Sequence, residues 1–220
     1  MVRDGVYYAA GFTLAAAVIA WLTNPWLALP LFIVGAFCAW FFRDPERMIP
    51  VGPVAVSPAD GKVVSVVQEA PGITRISIFL NIFDVHVNRA PISGIISSVN
   101  YQKGMFLVAS RAVASVQNEQ NQVTIQTEDT QVVFKQIAGL IARRIVFTKQ
   151  PGDYVSLGER VGMIKFGSRA DVLFGPEWHI EVREGMRVLA GSSVLARRAG
   201  TPEPLEVRQV VLEESVLCPT

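Results

Sequence analysis

The stretch GKVVSVVQEAPGITRISIFL, residues 61–80, holds two runs rich in Val and Ile, separated by a Pro-Gly pair. β-Branched residues fit a pleated, half-buried surface, and Pro-Gly is a turn signal, so the stretch reads as two strands with a turn between them. Working outward, the same punctuation returns in GIISSVNY, NQVTIQT, TQVVFKQI, ARRIVF and ERVGMIKF. Only Phe106 to Val116 hints at a short helix. From about Val54 the chain is therefore expected to be mainly β, with many brief strands arranged as a barrel or sandwich.

A weak internal echo refines that expectation. PADGKVVSV, PISGIISSV, QPGDYVSLGERVGMI and REGMRVLAGSSVLA each join a Gly turn to a β-branched strand. The last two share G-x-x-V-x-x-G, the punctuation of a barrel-sandwich hybrid, although Gly hairpins in general look alike.

The N-terminal part is of another kind. From Gly5 to Phe42 there is no charged residue, and Asn24-Pro25 divides the run into two apolar halves. Each half roughly reaches the ~20 residues that cross a hydrocarbon core, and Trp21, Trp26 and Trp40 lie near the ends, where interfacial aromatics belong. Residues 1–42 thus read as a membrane-anchoring helical hairpin, spanning or re-entrant. Arg3, Arg43 and Arg47 flank it, which by the positive-inside bias puts both ends and the following domain on the cytoplasmic side of the cell (inner) membrane. The second apolar half and the missing A-x-A-like exit argue against a cleaved signal peptide. Residues 43–53 are charged and Pro-containing and read as a linker. Residues 54–200 form the β domain, and 201–220 a polar tail with one edge strand at LEVRQVVL.

Composition narrows the chemistry. A net charge of +1 on 220 residues leaves no electrostatic footprint for nucleic acid. Two cysteines, Cys38 and Cys218, make neither a zinc-ligand pattern nor a disulfide framework, so no metal is expected. Only His86 and His179 can supply an imidazole.

Three motifs could carry a reaction. Ser57-Pro58-Ala59-Asp60-Gly61 puts a carboxylate in a tight turn before a strand; alone, it is an ordinary hairpin signal. In NIFDVHVNRAP, residues 81–91, an extended backbone would set Asp84, His86 and Asn88 on one face, either a solvated row or a site built around a base. In KFGSRADV, residues 165–172, Gly167 lets its carbonyl be approached closely, and a hydroxyl follows at Ser168. A strained Gly-Ser peptide can undergo an N→O acyl shift, but Gly-Ser is also a common turn.

Taken in order and spacing, these motifs resemble the phosphatidylserine decarboxylase proenzyme family, in its short bacterial form, with archaetidylserine decarboxylases as near relatives. The similarity runs through FFRDPER, PADG, NIFDVHVNRAPISG, KGMFLVA, NEQN, QPGDYVSLGERVGMIKFGSRADV and REGMRVLAGSSVLA. It implies self-cleavage between Gly167 and Ser168 into a β chain, 1–167, and an α chain, 168–220. Ser168 would become a covalent pyruvoyl cofactor that forms a Schiff base with the substrate amine. The implied reaction converts phosphatidylserine to phosphatidylethanolamine and CO2 in phospholipid biosynthesis, with the bilayer and the two cleaved chains as partners and self-association left open. Asp60 and His86 would assist Ser168 as a charge-relay set, with Asp60 orienting or charging the imidazole. His86 would also bind the substrate carboxylate or protonate Cα. Longer relatives carry a second histidine where this chain has Arg89, which leaves the base for self-cleavage open. His179 and the second Gly-Ser pair, Gly191-Ser192, are expected to be structural.

Two readings compete. A membrane-tethered barrel-sandwich adaptor or carrier would need an exposed lysine at a hairpin tip, for which Met163-Ile164-Lys165 is a poor candidate. An uncleaved hydrolase would use Ser168, His86 and Asp60 intact.

Overall fold

The computed structural model describes residues 2–107, 114–139, 144–165 and 168–198. The first two elements are α1 (Arg3–Leu22) and α2 (Pro25–Phe41). Asn24 stops one and starts the other: its side chain accepts a hydrogen bond from Trp26 N at 3.0 Å, and Pro25 fills the first helical position, where a missing N–H costs nothing. The helices touch through small residues. Ala16, Ala28 and Gly35 are buried, and a Cβ on Gly35 would sit 3.0 Å from Thr13 Oγ1. Their outer surfaces are apolar and open, with Trp21 83% and Trp26 78% exposed. α1 is long and apolar enough to cross a membrane, while α2 has 17 residues.

The remainder is mainly β, as the Val and Ile runs predict, with strands mostly short. In chain order they are β1 (Val54–Val56), β2 (Gly61–Ala70), β3 (Ile73–Leu80), β4 (Val87–Arg89), β5 (Gly94–Gln102), β6 (Gln120–Gln126), β7 (Gln131–Ile137), β8 (Ile145–Phe147), β9 (Tyr154–Val155), β10 (Arg160–Ile164), β11 (Ser168–Phe174), β12 (Trp178–Ile180), β13 (Arg187–Val188) and β14 (Val194–Arg198). Of the expected helix around residues 106–116, the described part is a single turn, α3 (Ala114–Gln117). The expected edge strand at LEVRQVVL lies outside the described residues.

An eight-stranded antiparallel sheet runs β13-β2-β3-β11-β7-β6-β5-β9, beside two three-stranded sheets, β1-β14-β12 and β4-β10-β8. Alternation along β3, β7, β6 and β11 sends Ile76, Ile78, Leu80, Val132, Phe134, Val123, Ile125, Ala170, Val172 and Phe174 into one core. A second, smaller cluster joins Phe41 and Phe42 of the hairpin to Val85, Val87 and Met163.

The internal echo is visible in three dimensions. β2 opens at Gly61 opposite Val188, and β5 opens at Gly94 opposite Val155. Both glycines have positive φ, +153° and +156°, and a Cβ would lie 2.2 Å from Phe79 O in one and 2.6 Å from Gln126 O in the other. Only glycine permits that approach. The residue before each accepts a backbone N–H: Asp60 Oδ1 from Ala190 at 2.7 Å, and Ser93 Oγ from Leu157 at 2.8 Å. Gly191 N then donates to Ser57 O, as Gly158 N donates to Ala90 O. PADG with REGMRVLAG and PISG with QPGDYVSLG are thus two copies of one strand-turn unit.

Candidate active site

Ser168 opens β11, paired with Leu80 at the end of β3. On the neighbouring side Arg169 faces Ile137, the last residue of β7. Asp60 immediately precedes β2, whose Lys62 faces Phe79. The two motif residues therefore sit at the same end of the large sheet, one on each side of the end of β3.

Two crossovers leave this end side by side for the β4-β10-β8 sheet. One runs from Leu80 to Val87, the other joins β10 to β11. At their near end Ser168 pairs with Leu80; at their far end Ile164 N donates to His86 O at 3.3 Å. Gly167 lies outside the described residues. The geometry brings His86 to the same end as Ser168, although 82 positions of sequence separate their numbers.

Period-two alternation places the Ser168 side chain on the core face with Ala170, Val172 and Phe174. It is fully buried, and its Oγ has no hydrogen-bond partner among the described residues. His86 is also fully buried. Its Nδ1 lies 2.9 Å from Asp84 O, which can only accept, so Nδ1 carries the proton and Nε2 presents a lone pair. That Nε2 is buried without a partner as well. Unsatisfied buried polar atoms cost about 1–3 kcal/mol each. Among the described residues Gln120 Oε1 is the third such side-chain atom. Gln120 heads β6, opposite Ile137, so all three orphans gather at one end of the fold.

Burial holds the His86 imidazole down to about 4 from its ordinary 6.5, against the pull of the Asp84 backbone bond and charge, while Arg43 pushes the same way as burial. At neutral pH the ring is an uncharged acceptor. The Phe41 ring, from the end of α2, closes over it with centroids 4.4 Å apart. This contact was not foreseen from the sequence, where Phe41 was one apolar residue among many.

The expected relay from Asp60 to His86 is not what the geometry shows. Asp60 Oδ2 accepts from Arg47 at 2.7 Å and Oδ1 from Ala190 N, while the imidazole's N–H goes to a backbone carbonyl. Burial raises the Asp60 carboxyl above its usual value, against the Ala190 bond and the Arg47 charge. Asp84 is likewise occupied, holding Asn81 N at 2.9 Å and the Arg187 guanidinium. The predicted polar row is therefore split: Asp84 caps a turn, His86 is the open acceptor, and Asn88 does something else.

Asn88 belongs to a chain of buried amides. Asn121 Nδ2 donates to Gln136 Oε1 at 3.0 Å, Gln136 Nε2 to Asn88 Oδ1 at 3.0 Å, and Asn88 Nδ2 to Pro58 O at 3.3 Å. Gln136 pairs with Ala170, two residues along β11 from Ser168, and Asn88 lies two residues along from His86. The Asn88–Gln136 contact thus links the strand beside Ser168 to the segment that follows His86, and through Pro58 O it ties both to the Asp60 turn. The signal for it existed: Gln136 and Asn121 interrupt apolar faces at Val132, Phe134 and at Val123, Ile125.

The other face of β11 is ionic. Arg169 Nε lies 2.6 Å from Asp171 Oδ1, and its Nη2 donates to Ser77 Oγ at 2.7 Å. Arg75 approaches Asp171 at 3.5 Å. These bonds pin β11 to β3 right beside Ser168 and do not depend on the peptide bond before it.

Other expectations resolve simply. Arg89 reaches Gly158 O, Asp44 and Pro45 O, so it is committed away from Ser168. His179 is exposed on β12, beyond the far end of β11. Ser192 sits in the turn before β14, where Gly191 is part of the repeat described above. Lys165 is only 8% exposed, with its ammonium 5.6 Å from the Phe42 ring and 5.8 Å from that of Tyr8, unlike the exposed lysine a carrier domain requires.

Comparison with known proteins identifies the family. Residues 34–196 match the family model described as phosphatidylserine decarboxylase. A phosphatidylserine decarboxylase proenzyme of Solibacter usitatus (strain Ellin6076) is 65% identical over 198 residues, which cover 90% of this chain and 97% of that protein. The matched span holds Asp60, His86 and Ser168 together with the last turns of α2, and so includes the buried serine, the open imidazole and the ring that covers it. The chain belongs to the phosphatidylserine decarboxylase family.

Proposed function

We propose that the chain is made as a proenzyme, cuts itself between Gly167 and Ser168, and then decarboxylates phosphatidylserine to phosphatidylethanolamine and CO2 in phospholipid synthesis. The observation that carries this is the pair of buried, unpartnered atoms, Ser168 Oγ and His86 Nε2, at one end of the sheet. A native fold leaves such atoms unpaired where chemistry requires them.

In the cut, Ser168 Oγ bonds to the Gly167 carbonyl carbon while the Gly167–Ser168 C–N bond breaks. His86 Nε2 accepts the hydroxyl proton and returns it to the departing nitrogen. β-Elimination then removes the residue 168 Cα proton to a base, forms the Cα=Cβ bond and breaks the Cβ–Oγ bond, freeing residues 1–167 with a C-terminal carboxylate. One water hydrolyses the enamine left on residue 168 and releases ammonia, leaving a pyruvoyl group. The residues fit that group, since position 168 is buried and, among the described residues, its side chain has no competing hydrogen bond. When present, the group supplies an electron sink for the carbanion left as CO2 departs. Arg169, clamped to Asp171 and Ser77, keeps the new chain end in register after the backbone is cut. In this reading His86 Nε2 holds the proton that returns to the substrate Cα.

Seating on a membrane follows from α1 and α2, whose outer faces are apolar all round rather than striped. The hairpin confines enzyme and lipid substrate to one interface.

The test is direct. Purified wild-type protein should run as two pieces on a denaturing gel and release CO2 from phosphatidylserine. Ser168→Ala should remain one piece and release none. CO2 release from protein shown to be uncut, or from Ser168→Ala, would overturn the proposal.

A further inference from the structure

The crossover leading to His86 carries an exposed apolar tip that no step above uses. Phe83 is 68% and Ile82 38% exposed, two neighbours at the head of a short turn. The turn is tightly built: Asn81 Oδ1 accepts from Phe83 N at 2.7 Å, and Asp84 Oδ2 from Asn81 N. Its shape holds the two side chains outward rather than folding them in.

What lies beside them identifies the partner. The Phe83 ring meets Trp40, at the end of α2, edge-on with centroids 6.0 Å apart. Arg43 bridges the pair, its guanidinium 4.2 Å over the Trp40 ring and its Nη2 donating to Phe83 O at 2.6 Å. Among the described residues Arg43 meets no carboxylate, and its contacts are the Trp40 ring and backbone carbonyls. The patch is therefore continuous with the apolar hairpin, rimmed by a cation, and attached to the strand of the candidate base.

We propose that the Asn81–Asp84 turn is a second membrane-contacting element, which seats the catalytic end of the domain on an anionic lipid surface. Ile82 and Phe83 enter the headgroup layer beside Trp40, and Arg43 faces lipid phosphate or carboxylate. The hairpin alone fixes the chain to the bilayer; the turn sets which end of the β domain faces it. The inference rests on the lipid-substrate reading above but makes a separate claim about orientation.

Two measurements on the full chain test it. In phosphatidylcholine vesicles doped with phosphatidylserine, Ile82→Ser/Phe83→Ser should process completely yet need about tenfold more substrate, in mole fraction, for half-maximal CO2 release. Phe83→Leu should stay near wild type, and short-chain phosphatidylserine dispersed as monomers should be turned over equally by all three. An unchanged half-saturation point, or an equal loss on monomers, overturns the proposal. Failure of wild type to release CO2 from either substrate would sink the functional reading instead. The second measurement is independent of activity. With Cys38→Ala and Cys218→Ser as background in uncut Ser168→Ala, a nitroxide on Ile82→Cys in vesicles should collide mainly with lipid-soluble oxygen. One on Ser97→Cys should collide mainly with a water-soluble nickel chelate. Equal nickel accessibility at both positions overturns the proposal, whatever the kinetics show.

Discussion

His86 illustrates how much a single residue's surroundings decide. Burial keeps its imidazole near 4, so between that value and 6.5 the unfolded chain takes up a proton that the folded chain refuses. Its contribution to stability is complete above pH 6.5 and is lost as pH falls towards 4. Asp60 acts in the opposite sense. Its raised carboxyl favours the folded state in acid, and that contribution fades as pH rises through its own shifted value. The urea midpoint of uncut Ser168→Ala should therefore fall between pH 6.5 and 4, and His86→Leu in that background should remove the His86 part of the fall. The acid limb of self-cleavage should likewise lie well below 6.5; a limb centred at 6.5 would show the imidazole to be solvated.

At the scale of elements, the repeated strand-turn unit separates two roles of one residue. Ser93 performs in the second copy the turn bond that Asp60 performs in the first. The bond to Ala190 N is thus architectural, and the carboxylate's surplus is its second oxygen, which holds Arg47. Asp60→Ser should keep the turn bond but leave Arg47 without its partner, costing about 1–3 kcal/mol by denaturant melt, while self-cleavage slows severely on a time-course gel. Full-speed cleavage would remove Asp60 from the machinery. Much of this scale was legible in the sequence. The Val and Ile runs became strands, Asn24-Pro25 broke the hairpin, and the Gly-x-x-Val-x-x-Gly phrases became the repeat. The chain of buried amides was legible only in hindsight, because a Gln on an apolar face has no meaning until its partners from β4 and β6 are known. The hydrogen bonds of Asp60 and His86 were not legible for a related reason: order along the chain says which residues converge, while their bonds are settled by whichever partner the fold brings closest.

At the scale of the whole molecule, hairpin and β domain are joined by more than a tether. Arg47 reaches Asp60, and Asp44 is bound by Arg89 and Arg160, so the segment after Phe42 is bonded onto the domain near the end that holds Ser168 and His86. Phe41 completes the junction by lying on His86. A version of this protein trimmed to begin after residue 42, for ease of handling in water, would keep its strands yet lose the ring that covers the imidazole. NMR titration of His86 in such a trimmed, uncut Ser168→Ala protein should move from about 4 towards 6.5, and Phe41→Ala in the full-length background should move it part of the way. A titration left in place would show the ring to be dispensable. The anchor is then also a piece of the reaction vessel, and solubility and chemistry in this enzyme cannot be engineered separately.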